Sequence, residues 1–185
     1  GHSSAASDVY KRQITYQSTR GSSKKLLFED IILSGVADDK GLYLPTSTTV
    51  ENLSYLTQED LNYEDFVKTI FIALDKNSAK YVEDLSIYSG FENSPTPTLK
   101  EIEENKYVME LFHGPTKSFK DYALQPLGAI ADRRLGELGE RGLVIVATSG
   151  DTGSAAIQSV KNSKNIDIVV LLSLIHISEP TRRSY

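Results

Sequence analysis

Lys120 is the residue of this sequence best placed to do chemistry. It follows Phe119 at the predicted start of a helix, after a short apolar strand and a turn at Gly114-Pro115. The positive end of a helix dipole disfavours an ammonium group, and burial disfavours it further, so both effects favour a neutral amine. A neutral lysine amine is the form that makes a Schiff base with an aldehyde. The alternative is an ordinary solvated lysine beside a core-anchoring Phe119, since buried lysines are rare.

A second polar segment lies between a buried apolar run and another predicted helix. Its five small residues are Ser149, Gly150, Asp151, Thr152 and Gly153. At a helix N-terminus such residues expose backbone N–H groups and hydroxyls, which together form a seat for a carboxylate or phosphate. The alternative is a plain strand-to-helix turn with Asp151 or Thr152 as the N-cap. The segment alone does not decide between the two.

Each of three further polar residues has an ordinary structural interpretation, and His113 and Arg20 also have a functional one. His113 is either a structural histidine, which the sequence favours, or a substrate contact. Asp121 follows the lysine as a carboxylate at the positive end of the helix dipole, and this role alone explains it. Arg20 comes after Ser18-Thr19 and either binds an anion or caps a turn.

Composition excludes several classes of protein. The 185 residues are 39% hydrophobic, and no apolar run approaches membrane-spanning length. With 20 basic and 25 acidic residues the net charge is −5, so we expect no nucleic-acid partner. The absence of cysteine excludes disulfides and thiolate metal ligands and fits a reducing compartment such as the cytoplasm. The three histidines are scattered, and no metal site is predicted.

The second half of the chain has the pattern of an α/β domain. Prolines in Ser94–Pro97 favour an extended linker, and alternating strands and helices follow it. The predicted strands are 107–112, 143–148 and 166–172, and the predicted helices begin near 119 and 152. The first helix carries one apolar face, made of Leu124, Leu127, Ala131, Leu135 and Leu138. Continuous Val, Ile and Leu runs joined by helices predict a parallel sheet covered on both faces, with ligands at the carboxyl ends of its strands.

The first half reads as a small α+β unit. An extended segment from Ile14 stops at Gly21, and an edge strand is predicted at 42–45 after a turn at 38–41. Three helices are expected: one over 26–33 closed by Gly35, one over 63–74 with an apolar stripe at helical spacing, and one after Asn77 that buries Val82 and Leu85. Residues 1–13 and 173–185 match neither pattern, and we interpret both as a non-native leader and tail.

The combined motifs resemble one family. Leu111–Asp121 followed by Ala147–Gly153 closely resembles threonine synthase, a family of pyridoxal-phosphate enzymes built like the tryptophan synthase β-subunit. Tyr16–Gly21 and Gly41–Pro45 are similar to the family's N-terminal domain. The resemblance covers about residues 14–172. It implies a small α+β domain at 14–93, followed at 94–172 by the incomplete start of a parallel-sheet pyridoxal-phosphate domain of tryptophan synthase β-like type.

The resemblance also implies a reaction and its residues. O-phosphohomoserine and water would give threonine and phosphate, with Lys120 holding pyridoxal phosphate and shuttling protons. Phe119 and Asp151 would lie at the cofactor. The residues implied to bind substrate are Ser149, Gly150, Asp151, Thr152 and His113.

One departure from the family's pattern matters. The glycine-rich loop that cups the cofactor phosphate lies well downstream in this family and is not found before Tyr185. We therefore expect the chain on its own to bind cofactor poorly and to be inactive. The alternatives are a threonine-synthase-like phospho-lyase or dehydratase of the same fold, or a non-catalytic fragment. The oligomeric state is left open.

Overall fold

The computed structural model describes residues 14–47, 61–92, 95–148 and 150–172. The chain divides into two compact units, the first formed by the residues up to Leu61 with Asp65–Glu83, the second by Asn62–Glu64 with the residues from Asp84 onward. The predicted leader, tail and domain boundary at 93/94 lie outside the described residues. Among the described helices, none is both long and apolar enough to cross a membrane.

The first unit contains a small antiparallel sheet. Strand β1 (Tyr16–Ser18) pairs with β2 (Tyr43–Pro45), with Gln17 opposite Leu44. An isolated bridge joins Tyr16 to Leu26. Both predicted extended segments are therefore present. The chain leaves β1 through Gly21, whose φ of 91° lies in the left-handed region that glycine adopts without strain.

The helices of the first half agree with prediction in part. Helix α1 (Phe28–Ile31) is capped at Ile32, so the predicted closure by Gly35 is wrong. The chain turns earlier because Ser34 N donates to Ile31 O at 2.9 Å. Helix α2 spans Tyr63–Leu74, as its apolar spacing predicted. Two 3₁₀ helices follow, Lys76–Tyr81 and Ser86–Gly90, and the predicted burial of Val82 and Leu85 is confirmed at 0% exposure.

The second unit begins with a hairpin that the sequence analysis did not predict. Strand β3 (Thr98–Glu103) pairs antiparallel with β4 (Lys106–Glu110) through a turn in which Asn105 has a φ of 60°. The strand predicted at 107–112 was expected to belong to the parallel sheet. The observed strand instead pairs antiparallel with β3, so this expectation is wrong. The physical reason is local, because asparagine tolerates the left-handed conformation that a two-residue turn requires.

The α/β core follows the hairpin. Helix α3 spans Asp121–Leu138, β5 Gly142–Thr148, α4 Asp151–Val160 and β6 Ile166–Leu172. Strands β5 and β6 are parallel, with Val144 opposite Ile168, which confirms this part of the prediction. Buried Leu135, Val160 and Ile166 join α3, α4 and β6 in one core cluster, against which Ala131, Val144 and Ile168 pack.

Only one face of this sheet is covered within the described residues. Side chains alternate along β5, and Leu143 and Ile145 on the outer face are 59% and 65% exposed. Val169 and Leu171 of β6 are exposed in the same way. The prediction of a sheet covered on both faces is therefore wrong for the described chain, because α3 and α4 both pack on the Val144–Ile168 side.

The buried face of α3 differs from the predicted apolar stripe. Leu135 is buried, but Leu127 and Leu138 are 52% and 43% exposed. Small and polar residues are buried in their place, including Gly128. A β-carbon at Gly128 would overlap the carbonyl oxygen of Ser159, so α3 and α4 approach each other backbone to backbone. Glycine at this crossing, rather than leucine, sets the face that α3 buries.

Candidate functional site

A tight turn delivers Lys120 to α3. Lys117 N donates to Gly114 O at 3.0 Å, and Asp121 N donates to Ser118 O at 3.0 Å. Between these bonds, Lys117 adopts a φ of 62°, which residues with a β-carbon rarely do. The chain therefore makes two consecutive turns, Gly114–Lys117 and Ser118–Asp121, and the second leads directly into the helix.

Lys120 occupies the N-cap position of α3 and is partly buried. Its Nζ lies 4.5 Å from the centroid of the Phe119 ring, a cation–π arrangement. The ring itself is 61% exposed. Within the described part of the chain, no carboxylate forms an ion pair with the Lys120 amine. The amine thus has an aromatic neighbour and, among the described residues, no ion-pair partner.

Asp121, the next residue, is fully buried, and within the described residues it makes no ion pair with that amine. Its Oδ2 accepts from Thr116 N at 2.8 Å, and the Thr116 hydroxyl lies 2.9 Å from both carboxylate oxygens. Sequence analysis gave Asp121 only a role at the helix dipole and missed this contact. The available signal was a hydroxyl residue five positions before the aspartate.

The polar segment after β5 begins at Gly150 in the structure, and Ser149 lies outside the described residues. Gly150 has a φ of 155° and is itself the N-cap of α4, so the expectation that Asp151 or Thr152 caps the helix is wrong. Thr148 Oγ1 accepts instead, from Gly150 N at 3.2 Å and Gly153 N at 3.3 Å. Asp151 is exposed and Thr152 partly buried in the first turn.

His113 lies beside acidic neighbours. Its Nε2 is 3.5 Å from Glu110 Oε2 and is buried without a hydrogen bond in the described structure. Its carbonyl oxygen accepts from Glu92 N at 2.8 Å. Glu92 also pairs with Lys117, whose hydrogen bond and charge lower the pKa of the Glu92 carboxyl. His113 is therefore attached to the turn that carries Lys120.

The predicted site residues form two groups. Phe119 and Lys120 are in contact, and Gly150, Asp151 and Thr152 lie together at the start of α4. Within the described residues, no hydrogen bond or ion pair joins the two groups. Both groups stand at the N-terminal ends of α3 and α4. Arg20 belongs to the first unit, where its backbone N–H donates to Ser18 Oγ at 3.1 Å.

Comparison with known proteins gives one consistent answer. Residues 15–82 match the family described as threonine synthase N terminus. Threonine synthase of Pseudomonas aeruginosa is 40% identical over 180 residues, which cover 91% of this chain and 37% of the enzyme. The resemblance to the N-terminal part of threonine synthases is confirmed. Threonine synthase-like 2 of mouse is 37% identical over 175 residues, 89% of this chain and 35% of that protein.

A solved structure extends the likeness to three dimensions. The crystal structure of pyridoxal-phosphate-bound threonine synthase from Brucella melitensis superposes with a TM-score of 0.72 at 34% identity. It covers 86% of this chain, which in turn covers 35% of the threonine synthase chain. The chain thus spans about a third of the length of the threonine synthases that it matches.

The side chains around Lys120 fit an aldehyde cofactor. A lysine that is engaged in an ion pair is held as the ammonium, which does not attack a carbonyl. The Lys120 amine makes no such pair among the described residues, and the exposed Phe119 ring beside it offers an aromatic surface. The adjacent carboxylate of Asp121 is committed to Thr116. The residues present therefore suit the cofactor that threonine synthases use.

Proposed function

We propose that the full-length protein is a pyridoxal-phosphate-dependent threonine synthase, a lyase that converts O-phosphohomoserine and water into threonine and phosphate. The observation that carries the proposal is the position of the Lys120 amine, which lies at the start of α3 over an aromatic ring and makes no ion pair with a described carboxylate. The motifs around it and the 40% identity to the Pseudomonas enzyme support the same function.

Lys120 has two tasks in this proposal. It holds pyridoxal phosphate through its amine, and it moves protons at Cα and Cβ of the substrate as general base and acid. Pyridoxal phosphate, when bound, supplies an electron-accepting ring that stabilises negative charge on the substrate carbons. The ring of Phe119 flanks the amine.

The start of α4 binds the substrate carboxylate in this proposal. Ser149 and Thr152 contribute backbone and hydroxyl donors, because the first N–H groups of a helix lack intrahelical acceptors. Gly150 lies at the same seat as the N-cap of α4. Asp151 lies near the cofactor ring. His113 contacts substrate, and its buried Nε2 without a hydrogen bond is the observation that supports this role.

The test uses the purified full-length protein with pyridoxal phosphate and O-phosphohomoserine. We expect phosphate and threonine to appear in equal amounts. The Lys120→Ala variant should lose activity by a factor of about 10² to 10⁴ or more, because it loses both its cofactor link and its proton-transfer group. Lys161→Ala, which removes an exposed lysine after α4, is the matched control and should retain activity. A full-length protein that forms no threonine would overturn the proposal.

A second candidate is a threonine-synthase-like phospho-lyase or dehydratase with another hydroxy- or phosphohydroxy-amino acid as substrate. The 37% identity to mouse threonine synthase-like 2 supports this candidate. The same assay separates the two, because this candidate releases phosphate, or ammonia and a keto acid, without making threonine.

For the 185-residue chain by itself, we propose that it is inactive and retains cofactor weakly. The exposed apolar side chains of β5 and β6 support this, since a cofactor domain needs its sheet packed on both faces. We further propose the domain division at 93/94 and a cytoplasmic location. Limited proteolysis and fractionation of cells that express the full-length protein test these two points.

A further inference from the structure

Asp121 is the most deeply buried charged group near Lys120. Its side chain has 0% exposure, although it occupies the first turn of a helix, where aspartates are normally solvated. A buried carboxylate is costly unless hydrogen bonds satisfy it, and here Thr116 supplies both a backbone N–H and a hydroxyl. A β-carbon added to Gly114 would lie 2.6 Å from the Asp121 Cβ, so the turn wraps closely around this group.

The bonds of Asp121 close a short loop from Thr116 to the start of α3, and Lys120 lies inside that loop. Ser118 accepts two further hydrogen bonds inside this loop. Its carbonyl accepts from Asp121 N at 3.0 Å and its Oγ accepts from Lys120 N at 3.3 Å. The backbone of Lys120 is thus fixed on both sides. The carboxylate of Asp121 fixes it from the C-terminal side and Ser118 from the N-terminal side.

The loop contains a backbone conformation that is unfavourable for an isolated peptide. Lys117 is left-handed with a φ of 62°, and such residues persist only where the surroundings impose them. Its side chain pairs with Glu92, which is itself bonded to the His113 carbonyl. The Glu92–Lys117 pair is exposed, whereas Asp121 is fully buried and its partner Thr116 is partly buried. Solvent weakens the first pair more, so the Asp121–Thr116 pair is the stronger constraint on the loop.

We propose that Asp121 is a positioning residue, whose buried carboxylate holds the Thr116–Lys120 loop so that the Lys120 amine is presented to the cofactor. The inference rests on the proposed role of Lys120 as the cofactor lysine. Asp121 acts through the backbone, because its carboxylate bonds to Thr116 and makes no ion pair with the Lys120 amine among the described residues.

The test measures how fast pyridoxal phosphate modifies Lys120 in the cofactor-free full-length protein, with borohydride trapping and peptide mapping. The variants are Asp121→Asn, Asp121→Ala and Thr116→Val, with Thr116→Ser as the conservative rescue. Asp38→Asn is the matched control, since it neutralises a side chain that is 93% exposed. Modification of exposed Lys161 in the same samples reports any global loosening, and amide hydrogen exchange of the 112–120 peptide reports the loop.

We expect Asp121→Ala to slow modification of Lys120 by about 10- to 100-fold, as a misplaced reactive group does. Asp121→Asn and Thr116→Val should slow it less, because each keeps part of the bonding, and exchange in the 112–120 peptide should rise in all three. Thr116→Ser and Asp38→Asn should match the wild type.

Two outcomes would overturn the inference. One is modification of Lys120 at the wild-type rate in a folded Asp121→Ala protein, or in Thr116→Val if the Asp121 variants do not fold. The other is an equal change at Lys161, which would make the effect global. A wild-type protein that traps pyridoxal phosphate on Lys120 but makes no threonine would instead contradict the proposed function and leave this inference standing.

Discussion

Gly114 is a residue where the fold leaves no room for a side chain. A β-carbon there would lie 2.6 Å from Asp121 Cβ and 2.9 Å from its Cγ, and both atoms belong to a side chain that is fully buried. The clash cannot be relieved without moving the aspartate that holds the Lys120 turn. The absence of a side chain at Gly114 therefore leaves room for the buried Asp121 side chain.

Gly114→Ala should lower the free energy of unfolding by about 1–3 kcal/mol, the usual cost of forcing an extra methyl into a packed site. Urea denaturation of the full-length protein measures it. Gly90→Ala is the matched control, because nothing lies within 4 Å of a β-carbon at that position. Equal stability of the two variants would contradict the packing described for Asp121.

Asp39 shows how one carboxylate organises the first unit. Ser18 Oγ donates to its Oδ1 at 2.5 Å and Gly41 N at 3.0 Å, and these bonds hold the pKa of Asp39 below its ordinary value, with the serine the larger cause. A β-carbon at Gly41 would overlap Ser18 Oγ. Because the folded pKa is lowered, the contribution of Asp39 to stability is present above the unfolded pKa and is lost as pH falls through the folded value.

Ser18→Ala should therefore raise the pKa of Asp39 towards its ordinary value. The first unit of this variant should then lose less stability on acidification than the first unit of the wild type. Titration of the Asp39 carboxyl carbon by NMR follows the change. Ser22→Ala is the control, since Ser22 contacts Asp39 through its backbone N–H at 3.3 Å and keeps that bond. An unchanged Asp39 titration in Ser18→Ala would rule out the serine as the cause.

At the scale of elements, α3 contains a proline that the structure accommodates in a specific way. Pro126 lies inside the helix and has no N–H to donate to the carbonyl of Tyr122. The hydroxyl of Tyr88 donates to that carbonyl at 2.9 Å. A side chain from a neighbouring 3₁₀ helix thus replaces the missing backbone bond of α3, and Tyr63, Phe91 and Tyr122 pack edge to face around it.

Tyr88→Phe should cost about 1–3 kcal/mol, because it leaves the Tyr122 carbonyl without its donor. In a Pro126→Ala background the helix recovers its own N–H, so the same substitution should cost clearly less. Chemical denaturation of the four proteins in this double-mutant cycle gives the coupling. Additive effects would show that Tyr88 does not compensate for the proline.

Burial, reinforced by the nearby Tyr63, Tyr122 and Glu64, raises the pKa of the Tyr88 hydroxyl. Because the folded pKa is raised, the contribution of Tyr88 to stability is complete below the unfolded tyrosine pKa, about 10, and is lost as pH rises beyond it. Tyr88→Phe should therefore lose less stability than the wild type between neutral and strongly alkaline pH. Denaturation at a series of pH values measures this, and identical alkaline profiles would contradict it.

The elements differ in how far the sequence predicts them. Strands β5 and β6 and helix α4 follow from continuous Val and Ile runs and from short polar breaks, which are local signals. Strand β3 was missed because its six residues are polar or exposed on both faces, so no alternation marks it. Lys120 was identifiable from its place before a helix. Its constraint by Asp121 was not, because that contact depends on the left-handed turn at Lys117, which residue propensities do not predict.

At the scale of the whole molecule, the outer face of the β5–β6 sheet exposes a group of apolar side chains. Leu143, Ile145, Val169 and Leu171 are 44–65% exposed on this face. Exposed apolar patches on two-stranded sheets favour self-association. This face belongs to a chain that spans about a third of its relatives' length.

The 185-residue chain alone should therefore associate at micromolar concentration, and Ile145→Lys should reduce the association. Sedimentation velocity measures both. Lys100→Ala, a change on the exposed β3 strand, is the control and should behave as the starting chain does. A chain that remains monomeric with its sheet face unaltered would contradict this prediction.

The central claim is that Lys120 carries pyridoxal phosphate in a threonine synthase, and peptide mapping of the full-length protein after borohydride reduction tests it most directly. We predict one pyridoxyl-modified peptide, containing Lys120, and loss of both that peptide and threonine formation in Lys120→Ala. A cofactor trapped on a different lysine, or a Lys120→Ala protein that makes threonine at the wild-type rate, would contradict the claim.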